Sequence, residues 1–262
     1  MNRPTLVALD MGNTSIHCGV ASQWNAERPQ WDLQLAWATA SFEPNQLAPL
    51  RAYLTPQTRW RVSSVHRPSE QRLSGWMQAH HPHVDYRVLR QVDLPLVVQV
   101  DLPERVGMDR LMAAVAANHL RPMNSAAIVV DAGTAITVDL VSTEGVFMGG
   151  AILPGLRLVA RALATGTDLL PMVESCLETA PPVLGKNTTA AIQSGLFWGS
   201  LGAVRELIRR LQPHPSSSST IFLTGGDAAR LMPLLSEDER WKERIRFVED
   251  LVLWGISLAT KR

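Results

Sequence analysis

Cysteine is scarce in this chain. Of 262 residues only Cys18 and Cys176 carry a thiol. Neither belongs to a Cys-x-x-Cys pair or to a Cys/His cluster with zinc spacing, so a disulfide scaffold and a structural zinc site are excluded. Reduced thiols in a cytoplasmic protein are the expectation. An excess of one charge is lacking too. There are 25 Lys and Arg against 24 Asp and Glu, a net charge of +1. Such a chain has no electrostatic reason to coat nucleic acid or an anionic membrane. No run of 18 or more apolar residues occurs, and the first apolar run meets Asp10 too early to be a signal-peptide core. A soluble, unexported protein is therefore expected. The common site fingerprints are missing as well. There is no G-x-G-x-x-G and no G-x-S-x-G. Gly185-Lys186-Asn187-Thr188 imitates the end of a P-loop, but Ala180 stands where the upstream glycine is required and no strand leads in.

What is present is an ordinary globular composition, 46% hydrophobic and 19% charged. It excludes global disorder and suffices for a core without staples. The length suits one large domain or two small ones. Apolar, β-leaning runs at 5–10 and 15–21 flank Gly12-Asn13-Thr14 and predict a hairpin. Residues 22–60 predict a strand or two and a short helix near 45–54. Strands are expected at 60–65 and 85–89, a helix at 69–79, and an Ala-rich buried helix over 106–120, stopped by Pro122. Strands follow at 126–131, 135–141 and 145–153, then helices at 156–165 and 188–211. A flexible Pro/Ser connector spans 213–219. The chain ends with a strand at 220–224, a helix over 227–235 capped by Asp227, a short strand near 246–248, and an amphipathic helix over 251–259.

One internal echo stands out. LVALDMGNTSIHCGV and IVVDAGTAITVDLV share an apolar strand, an Asp, one residue, a Gly, a polar turn and a second strand. Asp10 and Asp131 lie 121 positions apart, about half the chain. A duplicated hairpin predicts an α/β protein of two similar lobes with a cleft between them. The expected lobes are 1–122 and 123–262.

Several residues could carry chemistry. In Asp10-Met11-Gly12-Asn13-Thr14, Gly12 permits close approach of a ligand, backbone amides and the Thr14 hydroxyl can face a phosphate, and Asp10 can face magnesium. A plain tight turn accounts for the same letters. Asp131-Ala132-Gly133-Thr134 repeats that logic. Asp109, in Gly107-Met108-Asp109-Arg110, reads either as a general base with Arg110 holding an anionic substrate group, or as a helix-capping residue. Gly149–Gly155 would form a close-approach turn leading into a helix, and Gly225-Gly226-Asp227, ending a strand and opening a helix, offers an edge for a nucleoside. His80, His81 and His83 read as an exposed turn rather than a metal site. The scattered Trp residues read as packing, not as a stacking platform for bases.

Taken in order, the motifs D-M-G-N-T, G-M-D-R, D-A-G-T-A-I-T-V-D, G-G-A-I-L-P-G, N-T-T-x-A-I-x-S-G and T-G-G-D-A closely resemble the type III pantothenate kinase family, from Leu6 to about Gly255. The resemblance implies an actin-like, sugar-kinase-like fold of two ribonuclease-H-like lobes. It implies ATP-dependent phosphorylation of pantothenate, the first step of coenzyme A synthesis, and a homodimer. Carried over by motif, Asp10, Met11, Gly12, Asn13, Thr14, Ser15, Ile16 and His17 would form the first ATP hairpin, and Thr134 would also contact ATP. Gly107, Met108, Asp109 and Arg110 would contact pantothenate, with Asp109 as proton acceptor, and Thr188 would contact the substrate. Asp131 would bind a monovalent cation, potassium or ammonium, and Asp10 magnesium. One position departs from the pattern: the family often places a Tyr seven residues before the Gly of G-x-D-R, where this chain has Val100. Rival readings are a kinase of the same superfamily acting on another hydroxylated metabolite, and a non-catalytic regulatory factor.

Overall fold

The computed structural model describes residues 5–22, 29–174, 179–212 and 219–259. Cys176 and the connector at 213–218 lie outside these residues. The chain divides into two compact units. The first comprises Met1–Leu96, Asp101–Ala116 and Leu251–Arg262; the second comprises Val97–Val100 and Ala117–Asp250. The sequence reading expected a single cut near Pro122. The division is interrupted instead because the last helix packs on the first sheet and a short strand before Val100 pairs with the second.

In the first unit, β1 (Thr5–Met11), β2 (Ser15–Ala21) and β3 (Leu33–Ala38) form an antiparallel meander, and β4 (Thr58–Ser64) and β5 (Asp85–Val88) add in parallel beside β1. The order is β3-β2-β1-β4-β5. β1 is buried on both faces, which explains its unbroken apolar run. Val7, Leu9 and Met11 face a core with Ile16, Phe42, Trp60 and Leu73. Trp60 is fully enclosed, and its indole N–H donates to the Tyr53 carbonyl at 2.8 Å. The short helix foreseen near 45–54 is a 3-10 segment, Pro44–Tyr53. α1 (Arg67–His80) links β4 to β5, starting where the His66 ring accepts from the Ser69 amide.

The second unit repeats the plan. β7 (Ala126–Ala132), β8 (Ala135–Val141) and β9 (Val146–Pro154) are an antiparallel meander, with β10 (Ser219–Thr224) and β11 (Ile245–Phe247) parallel beside β7. β6 (Val97–Val98) adds beyond β9. The order is β11-β10-β7-β8-β9-β6. Apart from β6, both sheets have the strand order 3-2-1-4-5, so the duplication extends from the hairpin to the whole sheet. α2 (Met108–Leu120), whose residues up to Ala116 belong to the first unit, precedes β7 in the chain. α3 (Leu156–Gly166) and α4 (Thr188–Leu211) lie between β9 and β10, and α5 (Ala228–Leu235) lies between β10 and β11. α4 and α5 cover β7, β8 and β10 through Phe197, Leu201, Val204, Leu231 and Leu235.

Two local expectations are corrected. Asp227 occupies the position before α5, but its side chain makes no capping hydrogen bond; it pairs with Arg230 instead. The last helix, α6 (Leu251–Ala259), is not amphipathic, since all nine of its residues are buried. It packs on β1, β2 and β4, and its one hydroxyl, Ser257, is satisfied by donating to the Trp254 carbonyl at 2.7 Å. A helix apolar on every side belongs inside a protein. Gly255 is required there: a Cβ would lie 2.0 Å from the Met112 carbonyl oxygen of α2. Gly255→Ala is expected to destabilise the fold by about 1–3 kcal/mol, read as a lower thermal midpoint; an unchanged midpoint would contradict this packing. Among the described residues no helix is long and apolar enough to cross a membrane.

Candidate active site

The bend between β1 and β2 is held from two sides. The Gly12 amide donates to the Ser15 carbonyl at 3.0 Å, and the Thr39 hydroxyl donates to the Gly12 carbonyl at 2.8 Å. A Cβ on Gly12 would press the Ser15 carbonyl at 2.9 Å. Asn13, Thr14 and His17 are exposed, and His17 Nε2 shares a 2.9 Å hydrogen bond with the Ser15 hydroxyl. Met11 and Ile16 are different. They pair across the hairpin with both side chains fully buried in the core, which leaves only their backbone for a ligand. Asp10 is half-buried at the end of β1, between His17 of β2 and Ser63 of β4 in the ladder.

Asp109 is the second residue of α2. Its Oδ1 accepts from the Arg110 amide at 2.8 Å, as suits an anion near a helix start. A Cβ on Gly107 would fall 2.5 Å from that same oxygen, so Gly107 leaves the space in which the carboxylate stands. Burial, the dominant cause, pushes the Asp109 carboxyl above the usual range, partly opposed by the Arg110 amide and charge. A carboxylate partly withdrawn from water at a helix mouth is a stronger proton acceptor than a fully solvated one.

The second bend, between β7 and β8, gathers three of the motifs. The Gly133 amide donates to the Ala135 carbonyl at 3.0 Å, and the Gly155 amide to the Thr134 carbonyl at 3.1 Å. Gly155 touches this turn so closely that a Cβ would lie 2.3 Å from the Gly133 carbonyl oxygen. On the other side the Asp227 amide donates to the Ala132 carbonyl at 2.9 Å. Gly225 takes φ +91°, and a Cβ there would meet Asp131 Oδ1 at 2.4 Å and the Ala132 carbonyl oxygen at 2.6 Å. Gly155 and Gly225 are thus the walls of the Asp131–Thr134 turn. The sequence predicts a close-approach turn at Gly149–Gly155 and a nucleoside edge at Gly225-Gly226-Asp227; that Gly155 and Gly225 both close on this bend comes from the fold.

Thr188 is exposed at the first turn of α4, where the Asn187 side chain accepts from the Ala190 amide at 2.9 Å. It borders a cavity of about 740 Å³ with Val159, Leu163, Leu170, Lys186 and Ile192. Gly185 packs against the Ala190–Ala191 backbone of α4. Val100 lies against Gly149, where a Cβ would approach its methyl at 3.3 Å, so an aliphatic side chain occupies the place expected for a Tyr. His80, exposed, ends α1, and half-buried His81 and exposed His83 follow it; the His81 ring contacts those of His80 and His83, and His80 and His81 both contact Trp76. Among the described residues, no group of three or more His, Cys, Asp or Glu is placed to hold a metal ion.

Comparison with known proteins adds an independent line. The family model described as type III pantothenate kinase matches residues 6–210. A type III pantothenate kinase of Dehalococcoides mccartyi is 34% identical over 260 residues, which cover 97% of this chain and 96% of that one. One from Rhodopirellula baltica is 42% identical over 182 residues, covering 67% of this chain and 63% of that relative. Among solved structures, a Sinorhizobium meliloti protein described as a 2-dehydro-3-deoxygalactonokinase superposes with a TM-score of 0.52 at 13% identity, covering 98% of each chain. The ethanolamine utilization protein EutJ of Carboxydothermus hydrogenoformans gives 0.51 at 16% identity, covering 99% of this chain and 90% of that one. These structural likenesses establish the duplicated, actin-like and sugar-kinase-like α/β fold.

Proposed function

Because the chain belongs to the type III pantothenate kinase family, we propose that it transfers the γ-phosphoryl group of ATP to the primary hydroxyl of pantothenate, opening coenzyme A synthesis. The observation that carries this reading is the Asp109 carboxylate, desolvated beside Gly107 at the mouth of α2 within the G-M-D-R motif. Asp109 accepts the proton of the attacking hydroxyl, and Arg110 holds the pantothenate carboxylate. The amides and hydroxyls of the 10–17 hairpin, with Thr134, bind ATP. Thr188 contacts the substrate. In phosphoryl transfer, positioning and charge stabilisation supply most of the rate.

Two ions fit the residues present. The half-buried Asp10 carboxylate offers hard oxygens suited to magnesium, and the Asp131 carboxylate beside the Ala132 carbonyl suits a monovalent cation. When bound, such ions offset the negative charge of the phosphates. A homodimer and a cytoplasmic location belong to the same proposal. The outward side of α4, where a Cβ on Gly195, Gly199 or Gly202 would meet nothing, supports close packing by a second copy.

The test is ADP release with and without pantothenate in potassium, ammonium or sodium buffer, with other hydroxylated acids as controls. Pantothenate-dependent release, highest in potassium or ammonium, is expected. Release with a different acid alone would move the substrate, and Val100 would be the first residue to re-examine. A related outcome is expected at Gly225. Gly225→Ala strains a left-handed backbone and crowds Asp131, so activity in potassium should fall several-fold while activity in sodium changes less. Equal losses in both buffers would separate Gly225 from the cation.

A further inference from the structure

Ser63 is fully buried, at 0% exposure, and its hydroxyl makes no hydrogen bond among the described residues. A buried hydroxyl without a partner is costly, and its presence calls for a ligand or water that satisfies it. Its neighbours are already engaged. The Ser64 hydroxyl accepts from the His66 amide at 3.2 Å. Arg61, two residues back on the same face of β4, forks onto the Asp85 carboxylate at 2.9 and 3.0 Å. Ser63 stands directly opposite Asp10 in the parallel β1–β4 register, so both side chains leave the same sheet face about one strand spacing, roughly 4.8 Å, apart. One carboxylate oxygen of Asp10 is likewise shielded from solvent. The Ser63 hydroxyl and one oxygen of the half-buried Asp10 carboxylate therefore lie shielded on one sheet face at the carboxyl end of β1, next to the bend of the hairpin.

We propose that Ser63 is a positioning residue of the ATP–magnesium site: its hydroxyl, with the Asp10 carboxylate, holds a water of the hydrated magnesium ion. Magnesium gives up its waters reluctantly and is commonly held through one or two carboxylates and several retained waters, so a neutral hydroxyl is an apt partner in its outer sphere. The inference rests on assigning the 10–17 hairpin to ATP. It adds a residue of β4 that belongs to none of the nucleotide motifs.

The experiment follows the thermal midpoint of the full chain at fixed excess ATP while magnesium is titrated, for wild type, Ser63→Ala and Ser63→Cys. Without ligand, both variants are expected to melt at or above the wild-type temperature, because the lost hydroxyl had no partner. With ATP alone, the shift should be unchanged. The magnesium concentration giving half of the additional shift should rise about five- to tenfold, the worth of one hydrogen bond. An unchanged magnesium requirement would overturn the inference and leave the hairpin assignment standing. Wild type that shows no ATP-dependent shift would remove the assignment and the inference together. Failure of both variants to fold would mean that the hydroxyl is already bonded in the free protein, and would also overturn the inference.

Discussion

Asp109→Asn is expected to lower pantothenate-dependent turnover by at least about 100-fold, the lower end of what a positioned general base contributes, while ATP binding stays near wild type. The substitution keeps size and shape and keeps an acceptor for the Arg110 amide, so the helix start is preserved. What it removes is the capacity to take a proton. Stability supplies a second readout. Burial raises the Asp109 pKa in the folded state above its unfolded value. The native state then binds the proton more tightly than the unfolded state, so the cost of the buried charge is present in full above the folded pKa. It disappears as the pH falls below the unfolded value. Asp109→Asn removes that cost, so its thermal midpoint at neutral pH should equal or exceed that of wild type, with the difference shrinking in acid. Wild-type kcat/KM should fall on the acid side with an apparent pKa above that of a free aspartate. A variant with full activity would reduce Asp109 to a local acceptor at a helix start.

Asp131→Asn is expected to abolish the advantage of potassium or ammonium over sodium, with activity in potassium falling by about 10- to 100-fold, the range of a lost charged contact. The structural reason is the setting of this half-buried carboxylate. It stands at the end of β7, paired with Thr137 of β8 and Thr224 of β10, with Gly225 against one oxygen. A half-buried carboxylate with a neighbouring backbone carbonyl suits a cation ligand better than a fully solvated surface charge. Kinetics in the three buffers check this, and retention of the potassium advantage by the variant would place the monovalent ion elsewhere.

Much of the architecture was legible locally. β2, β8 and α4 fall at the expected residues, because alternation, glycine-bearing turns and the Asn187 start are all nearest-neighbour signals. The echo between the two Asp-x-Gly hairpins correctly announced a repeat, and the sheets show that it extends to five strands. What depended on distant partners was not legible. β6 is two residues long and exists only because Val97 and Val98 find Val146 and Phe147. The expectation of an amphipathic helix over 251–259 fails at Gly255 and Ser257, the small and polar positions of an otherwise apolar helix. In the fold one is a contact point for α2 and the other is satisfied within its own helix.

The candidate site divides along the same line. The two bends and the G-M-D-R start are contiguous in sequence and could be named from it. Met11 and Ile16 belong to the motif that the family resemblance carries to the first bend, yet strand alternation turns their side chains into the core. The contact of Gly225 with Asp131 and the placement of Ser63 beside Asp10 arise from parallel pairings between remote segments, which no local spacing encodes.

The account is tested most directly by 31P nuclear magnetic resonance of the protein incubated with ATP, magnesium, potassium and pantothenate. A new phosphomonoester resonance should grow in step with ADP, require pantothenate, and be missing with Asp109→Asn. ATP that stays intact, or ADP that accumulates with inorganic phosphate and no phosphomonoester, would contradict it.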